Sequence, residues 1–478
     1  RAAKHRDTMR SMDIAPTAYD TDLLRRYDVP GPRYTSYPTA PHFHADFGER
    51  EFREAAAASN GDPIPRRLSL YVHVPFCESP CFYCGCNRII TRDKARGEAY
   101  LARLFREIDL VSQLFDRDRE LIQLHFGGGT PNFLSPAQLR EVVDTVRGHF
   151  RFGDARELDL SIELDPRCVT PADIGVLAQI GFNRASLGVQ DFNPDVQKAV
   201  NRVQSVEETR AVIEACRANG FRSVNVDLIY GLPKQTPEGF ATTLDIVADM
   251  RPDRVAVYGY AHMPNLFRAQ NQIVAADLPD PEGKLALLQL AIRKLTDAGY
   301  VYIGMDHFAL PDDELAASQA RGGLHRNFMG YTTHADSDLI GVGVSAISHV
   351  GDTFSQNPRD LASWQAALDE GRLPTFRGMR LSEDDQLRAD LIQQLMCHGC
   401  VPIDALERRY DIDFRDYFAD ALRKLAPMEQ DGLVRTIERA AKTLLGMVND
   451  ILDLSKIEAQ QLTLEAAPFD VVQVLDQL

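Results

Sequence analysis

No apolar run in the 478 residues reaches the length of a membrane span, and residues 1–7 lack the apolar stretch of a secretory signal. Positive charge is also in short supply: 53 lysines and arginines face 69 aspartates and glutamates, a formal net charge of -16. That balance argues against a general binder of nucleic acid or of anionic membrane surfaces. Cysteine is sparse, at eight residues. With no secretory signature the expected compartment is the cytoplasm, where reduced thiols serve metal binding more often than cross-linking. The chain is too long for one ordinary core, so a large domain with smaller attachments is expected. The apolar fraction of 44% and charged fraction of 26% are those of a globular protein.

Half of the cysteines crowd into one stretch. An apolar, β-branched run over 70–74 stops at Pro75, and Cys77, Cys81 and Cys84 follow with C-x3-C-x2-C spacing, then Cys86. One short loop can wrap three such thiolates around a single inorganic core, and three ligands on a four-iron cube leave one iron open. An open iron is a reactive position, as is the free coordination place of a catalytic zinc. Structural zinc would call for a second C-x2-C-like pair, and none lies near. This spacing after a strand resembles the radical SAM enzymes, in which the amino and carboxylate groups of S-adenosylmethionine (SAM) bind the fourth iron. The ending Cys84-Gly-Cys86, after Tyr71-Val-His-Val-Pro-Phe-Cys77, narrows the resemblance to the oxygen-independent coproporphyrinogen III oxidase family.

Between Leu70 and Met263 short apolar runs alternate with amphipathic helical stretches. The runs cover 70–74, 121–126, 158–163, 184–189, 223–229 and 254–260, and the helical stretches include 98–114, 136–150, 171–180 and 206–219. Six units predict an α/β fold, a partial, open (β/α)6 barrel with right-handed crossovers and its active site at the C-terminal ends of the strands. Unusual residues do sit at those ends: the cysteine loop, Gly127-Gly-Gly-Thr-Pro131, Glu163-Leu-Asp165, Gln190-Asp191, Asp227 and Tyr260-Ala-His262. A lone glycine run is often a turn and a lone strand-end aspartate a helix cap. Six polar or glycine tips on one rim exceed what capping requires.

The resemblance also assigns residues. Tyr71, Tyr83, Gly128, Gly129, Thr130, Glu163, Gln190, Arg202, Asp227, Ala261 and Ile347 stand where these enzymes bind SAM. It implies that Cys77, Cys81 and Cys84 hold one 4Fe–4S cluster, and that His73, Tyr71 and Cys86 are the candidate catalytic groups. The side-chain chemistry agrees: Gly128 and Gly129 leave room for the methionine amine, Glu163 and Asp227 accept from ammonium or ribose hydroxyls, and Arg202 pairs a carboxylate. His73 reads either as a proton or positioning group or as a packed strand histidine. The family holds two SAM molecules. Met329 departs from it, standing where a glutamine near the second SAM is usual, and a thioether cannot donate as an amide does. Gly341-Val-Gly343 by itself is a weak sign of nucleotide binding. The segment Gly31-Pro-Arg-Tyr-Thr-Ser-Tyr-Pro-Thr-Ala40 has the composition of a surface loop and resembles the family's N-terminal extension, making Arg33 and Tyr34 candidate substrate contacts.

The implied activity is the anaerobic oxidative decarboxylation of two propionates of coproporphyrinogen III to vinyls, through a 5'-deoxyadenosyl radical, giving protoporphyrinogen IX. It implies a monomer served by a low-potential electron donor, with Arg33, Arg268 and Arg326 as expected partners of the remaining propionates. The alternative is the family's haem-binding chaperone paralogue. That paralogue shares the first three cysteines but lacks the fourth and the 31–40 extension, and differs at His325-Arg-Asn-Phe328, so the oxidase reading is favoured.

The expected organisation is an N-terminal extension over 1–65, the barrel and its extension over 66–375, and a small helical, winged-helix-like domain over 376–434. Cys397-His-Gly-Cys400 has no second pair nearby and is expected to be an incidental helix-end pair. From about residue 435 the chain resembles the second dimerisation helix of a sensor histidine kinase, with Ile437, Ala441, Leu444, Val448 and Ile451 forming an apolar stripe. No phospho-acceptor helix or ATP-binding domain accompanies it, so 435–478 is expected to be a foreign helical tail without kinase activity.

Overall fold

The computed structural model describes residues 26–27 and 36–431; Arg33, Tyr34, the run from Gly432 to Val434 and the kinase-like segment lie outside them. Among the described residues no helix is long and apolar enough to cross a membrane.

Six strands each lead into a helix. β1 (Arg67–Val74) precedes α1 (Ala95–Ser112), β2 (Glu120–Gly128) precedes α2 (Pro136–His149), and β3 (Asp159–Leu164) precedes α3 (Pro171–Ile180). β4 (Arg184–Gln190), β5 (Ser223–Tyr230) and β6 (Arg254–Gly259) likewise precede α4 (Val206–Ala218), α5 (Pro237–Met250) and α6 (Pro281–Asp297). The helix starts are set by local chemistry: Ser135, Thr170, Ser205, Thr236 and Asp280 each accept the backbone N–H three residues on. Each such cap contributes about 1 kcal/mol and fixes where a strand-to-helix loop must end.

The six strands pair in parallel in chain order. After β7 (Val301–Gly304) and β8 (His307–Ala309), which pair antiparallel at the β6 edge, the chain returns to β1. There β9 (Ser337–Val342) adds a seventh parallel strand, with Arg67 opposite Ser337 and Val72 opposite Val342. β10 (Ile347–Val350), β11 (Thr353–Gln356) and β12 (Arg377–Arg380) extend the sheet antiparallel. β12 carries the sheet's hydrogen bonding to Arg380, a few residues beyond the boundary expected at 375. The small domain starts at the Ser382 cap of α7 (Glu383–His398). It continues through α8 (Ile403–Tyr410), α9 (Phe414–Tyr417) and α10 (Ala419–Gln430) around Leu387, Leu406, Phe414 and Phe418. In the N-terminal segment, helix Glu49–Asn60 buries Phe52, Ala55 and Ala56, and its Ser59 hydroxyl bonds Asp338 on β9.

Side chains alternate across each strand. The convex face is apolar, and Leu68, Leu70, Val72 and Val74 of β1 are fully buried in one core with Tyr100, Leu104 and Ile108 of α1. The concave face is polar along its whole length. Arg184 on β4 pairs Asp159 at 2.6 Å and Glu314 at 2.7 Å, Arg254 pairs Asp313 and Glu314 at 2.9 Å each, and His334 Nε2 lies 3.0 Å from Asp159. Asp159, Arg184 and Arg254 open their strands, while Asp313 and Glu314 begin the helix Glu314–Ala320 and His334 lies in the loop before β9, and together they form an ionic floor beneath the site.

Candidate active site

The loop after β1 folds back on itself. Phe76 and Cys77 pair with Ile89 and Ile90, and the Thr91 N–H donates to the Cys77 carbonyl at 2.9 Å. Arg88 braces the loop, donating to the Cys84 carbonyl at 3.0 Å and the Cys81 carbonyl at 3.2 Å. Cys77, Cys81 and Cys84 consequently line one cavity of about 500 Å³. Donors surround their sulfurs: Arg202 Nη1 lies 3.5 Å and Arg167 Nη2 3.8 Å from Cys81 Sγ, Thr130 Oγ1 lies 3.3 Å from Cys77 Sγ, and the Cys86 N–H lies 3.4 Å from Cys84 Sγ. Hydrogen bonding from Cys86, against the effect of burial and helped by Arg88, draws the Cys84 thiol down to about 6. Burial pushes Cys77 up to about 11.

The cavity fits an iron–sulfur cube better than a single ion. Among the described residues no three His, Cys, Asp or Glu side chains are arranged around one metal ion, whereas the three thiols border a space wide enough for a cluster. The same cavity offers an unspent donor. Arg202 is 6% exposed and bonds Asp165 and the Gly188 carbonyl, yet its buried Nε has no hydrogen-bond partner. A buried donor of this kind calls for an acceptor, and a carboxylate such as that of SAM is its natural complement.

Strand ends form the rest of the wall: Gly128, Gly129 and Thr130 after β2, Glu163 and Asp165 from β3, Gln190 from β4 and Asp227 from β5. The glycines also answer a packing need of the fold itself. A Cβ on Gly129 would stand 2.7 Å from the Pro75 backbone, and one on Gly128, at φ +116, 2.6 Å from the His73 ring. Their bareness lets β2 lie flush against the protein's own β1 loop. Glu163 accepts from the Gly128 N–H at 3.1 Å, with His125 Nε2 at 3.5 Å. Burial opposes its ionisation, but His125 and that N–H outweigh it and hold the carboxyl below its ordinary range. Asp227 accepts from Ser186 at 3.0 Å and Asn225 at 2.8 Å, while burial and the neighbouring Glu163 charge raise it to about 6.

Tyr71, His73 and Ile347 do not line this first cavity. They border a second, of about 330 Å³, together with Asn87 and Met329, and Cys86, Gly128 and Glu163 are shared between the two. His73 is held there with Nδ1 3.1 Å from the Tyr71 hydroxyl and Nε2 3.1 Å from the Asn87 carbonyl, and burial lowers its pKa. Tyr83 belongs to the first cavity. Ala261 lines neither, but Gln270 donates to both the Ala261 and the Tyr83 carbonyls, tying the two segments together. Arg268 and Arg326 line neither cavity; Arg326 packs over the Tyr331 ring at 4.6 Å. Cys397 is buried against Ile303 and Leu315, and Cys400 follows the left-handed Gly399 cap.

Sequence reasoning missed the groups just below the rim. His125 stacks on Tyr71 with centroids 5.8 Å apart and bonds Ser161 at 2.6 Å. Ser161, Ser186, Asn225 and Tyr258 line a further space of about 180 Å³ beneath. The signal was available in the alternation Asp159-x-Ser161-x-Glu163 and Ser223-x-Asn225-x-Asp227, which marks one wholly polar strand face.

Comparison with known proteins agrees with this geometry. The Radical SAM superfamily pattern matches residues 71–247 and the HemN C-terminal domain matches 381–442. The oxygen-independent coproporphyrinogen III oxidase of Pseudomonas aeruginosa is 52% identical over 417 residues, covering 87% of this chain and 90% of that protein. The Escherichia coli enzyme of the same name is 48% identical over 428 residues, covering 90% and 92%. The solved structure of coproporphyrinogen III oxidase (HemN) from Escherichia coli, a radical SAM enzyme, superposes with a TM-score of 0.85 at 45% identity, covering 92% of this chain and 99% of that one. A partial radical SAM barrel with three cysteines converging on one cavity, and relatives this similar along nine-tenths of their length, place the chain in the oxygen-independent coproporphyrinogen III oxidase family.

Proposed function

We propose that this chain converts coproporphyrinogen III to protoporphyrinogen IX without oxygen. Each of two propionates loses a β-hydrogen, carbon dioxide and one electron and becomes a vinyl. The observation that carries the reading is the convergence of Cys77, Cys81 and Cys84 with the unpaired Arg202 donor and the Glu163 and Asp227 carboxyls on one cavity. A bound 4Fe–4S cluster and SAM supply the radical that removes the substrate hydrogen. The protein's own part is positional. Arg167, Arg202, Thr130 and the Cys86 N–H stabilise charge on the cluster thiolates, Arg202 and Glu163 orient the SAM carboxylate and amine, and Asp227 accepts from a ribose hydroxyl. The second cavity, walled by Tyr71, His73, Met329 and Ile347, supports the reading that two SAM molecules are held side by side. The reaction needs a low-potential one-electron donor, and the reading is of a cytoplasmic monomer.

Relatives named as oxidases at 52% and 48% identity favour this activity over the haem-binding chaperone reading, as does Cys86 at the junction of the two cavities. Anaerobic incubation with coproporphyrinogen III, SAM and a reductant tests it. The expected result is protoporphyrinogen IX with two 5'-deoxyadenosines per product; haem retention without vinyl formation would establish the chaperone instead.

Two substitutions probe the SAM contacts. Glu163→Ala and Asp227→Ala should each weaken SAM binding about tenfold or more, roughly 1.4 kcal/mol, with a melting curve close to the parent's because both face cavities. Equilibrium dialysis beside thermal denaturation decides, and parental affinity in both variants would refute the assignment. Met329→Gln should raise turnover, since an amide can donate into the second cavity where a thioether cannot; turnover equal to the parent's would count against a SAM contact there.

A further inference from the structure

Behind the second cavity, on the helix side of the sheet, a compact polar cluster interrupts the apolar core. Glu107 of α1 is 1% exposed. Its partners are neutral: the Gly343 N–H at 2.7 Å, Asn357 Nδ2 at 2.6 Å and Trp364 Nε1 at 3.0 Å. Two turns of helix earlier on the same face, the Tyr100 hydroxyl donates to the His73 carbonyl at 2.7 Å and accepts the Val344 N–H at 3.2 Å. The Trp364 ring stacks on Tyr100 with centroids 4.7 Å apart, and Asn357 also donates to the Gly343 carbonyl at 2.8 Å.

Four of these bonds reach segments that adjoin the second cavity, at His73, Gly343 and Val344; the bonds from Asn357 and Trp364 to Glu107 complete the cluster behind them. Gly343 and Val344 form the turn after β9, and the next three residues, Ser345, Ala346 and Ile347, line that cavity. His73, whose carbonyl Tyr100 holds, lines it from the other side. The turn is pressed hard against its clasp: Gly343 has φ +97, and a Cβ there would fall 2.7 Å from the His73 carbonyl and closer still to the Tyr100 hydroxyl. Glu107 and Tyr100 do not themselves line the cavity.

A carboxylate buried among neutral donors is an expensive choice for a core. Burial pushes Glu107 up to about 7 even against its three hydrogen bonds. An aliphatic side chain of that size would avoid the cost. What it could not do is accept from Gly343, Asn357 and Trp364 together, which fixes the turn in one conformation.

We propose that Glu107 and Tyr100 are positioning residues for the second cavity, holding the His73 strand and the Gly343–Val344 turn at the separation that admits a second SAM molecule. This rests on the two-SAM reading given above. The test uses the full chain, reconstituted anaerobically, with Glu107→Gln and Tyr100→Phe. Iron content reports the cluster, and equilibrium dialysis with radiolabelled SAM counts molecules bound per chain. The parent is expected to bind two equivalents. Each variant should keep its iron and one equivalent at parental affinity, and lose the other or bind it about tenfold more weakly. Two equivalents retained at parental affinity would overturn the positioning role and leave the two-SAM reading standing. A single equivalent in the parent would overturn both. Iron and both SAM equivalents falling together would show a merely structural cluster, which also overturns the proposal. Tyr100→Phe removes one oxygen and keeps the stack on Trp364, so the test survives if Glu107→Gln does not fold.

Discussion

Replacing Cys77, Cys81 or Cys84 with serine should abolish cluster incorporation, and replacing Cys86 should not. The three proposed ligands share one braced loop and border one cavity, so losing any of their sulfurs would leave a 4Fe–4S cluster only two protein thiolates to hold it. Cys86 has another place. Its residue is exposed, its backbone N–H points at Cys84 Sγ, and its side chain borders both cavities. Anaerobic reconstitution with iron and sulfide, followed by iron quantification, absorbance and electron paramagnetic resonance, measures each variant. Retention by Cys77→Ser with loss by Cys86→Ser would reverse the ligand assignment. If Cys86→Ser keeps its cluster, its turnover then reports the catalytic role of that thiol separately from metal binding.

Asp338→Ala should cost about 3–5 kcal/mol of stability, because it strands a buried cation. Arg119 and Asp338 have side chains only 2% and 0% exposed and meet at 2.6 Å. Arg119 also donates to the Arg66 carbonyl and Asn60, while Asp338 receives Ser59 and the Gly351 N–H. The pair thus binds the N-terminal helix, the approach to β2 and the seventh strand into one body. Asp336→Ala provides the contrast, since its pair with Arg67 is 65% exposed on the aspartate side and an exposed pair is worth about 1 kcal/mol at most. Denaturant unfolding of the cluster-free chain compares them. Equal losses in the two variants would show that burial of the Arg119 pair does not govern this edge. The double variant Arg119→Met with Asp338→Leu should recover most of the loss, because a buried ion pair replaced whole by apolar groups is close to neutral.

Much of the fold could be read directly from the chain. The six barrel strands lie within a few residues of the apolar runs, and the helices begin at Ser135, Thr170 and Ser205 where a hydroxyl cap precedes the periodic stretch. These are local properties, set by alternation, caps and prolines within a dozen residues, and the cysteine spacing is local in the same sense. The strand tips, with Cys77, Cys81 and Cys84, were therefore legible as residues that would meet at one cavity.

Tertiary structure decided the rest. That Ser337–Val342 would lie parallel to Arg67–Val74 depends on two segments far apart in the chain burying their edges together, and Gly341-Val-Gly343 by itself is only a weak sign of nucleotide binding. The same pairing splits the expected SAM contacts between two cavities, sending Tyr71 and Ile347 to the second and leaving Ala261 outside both. The glycines after β2 were legible as part of the cavity wall, but that a Cβ on them would meet Pro75 and His73 was not. Glu107 had no sequence signal, because an acidic residue on an amphipathic helix is ordinarily solvated and only the arrival of Gly343, Asn357 and Trp364 around it makes it a buried acceptor. Backbone periodicity and capping act over a few residues, so sequence determined the elements and the loop chemistry. Which side chains share a cavity depends on contacts between segments hundreds of residues apart, and those exist only once the sheet has assembled.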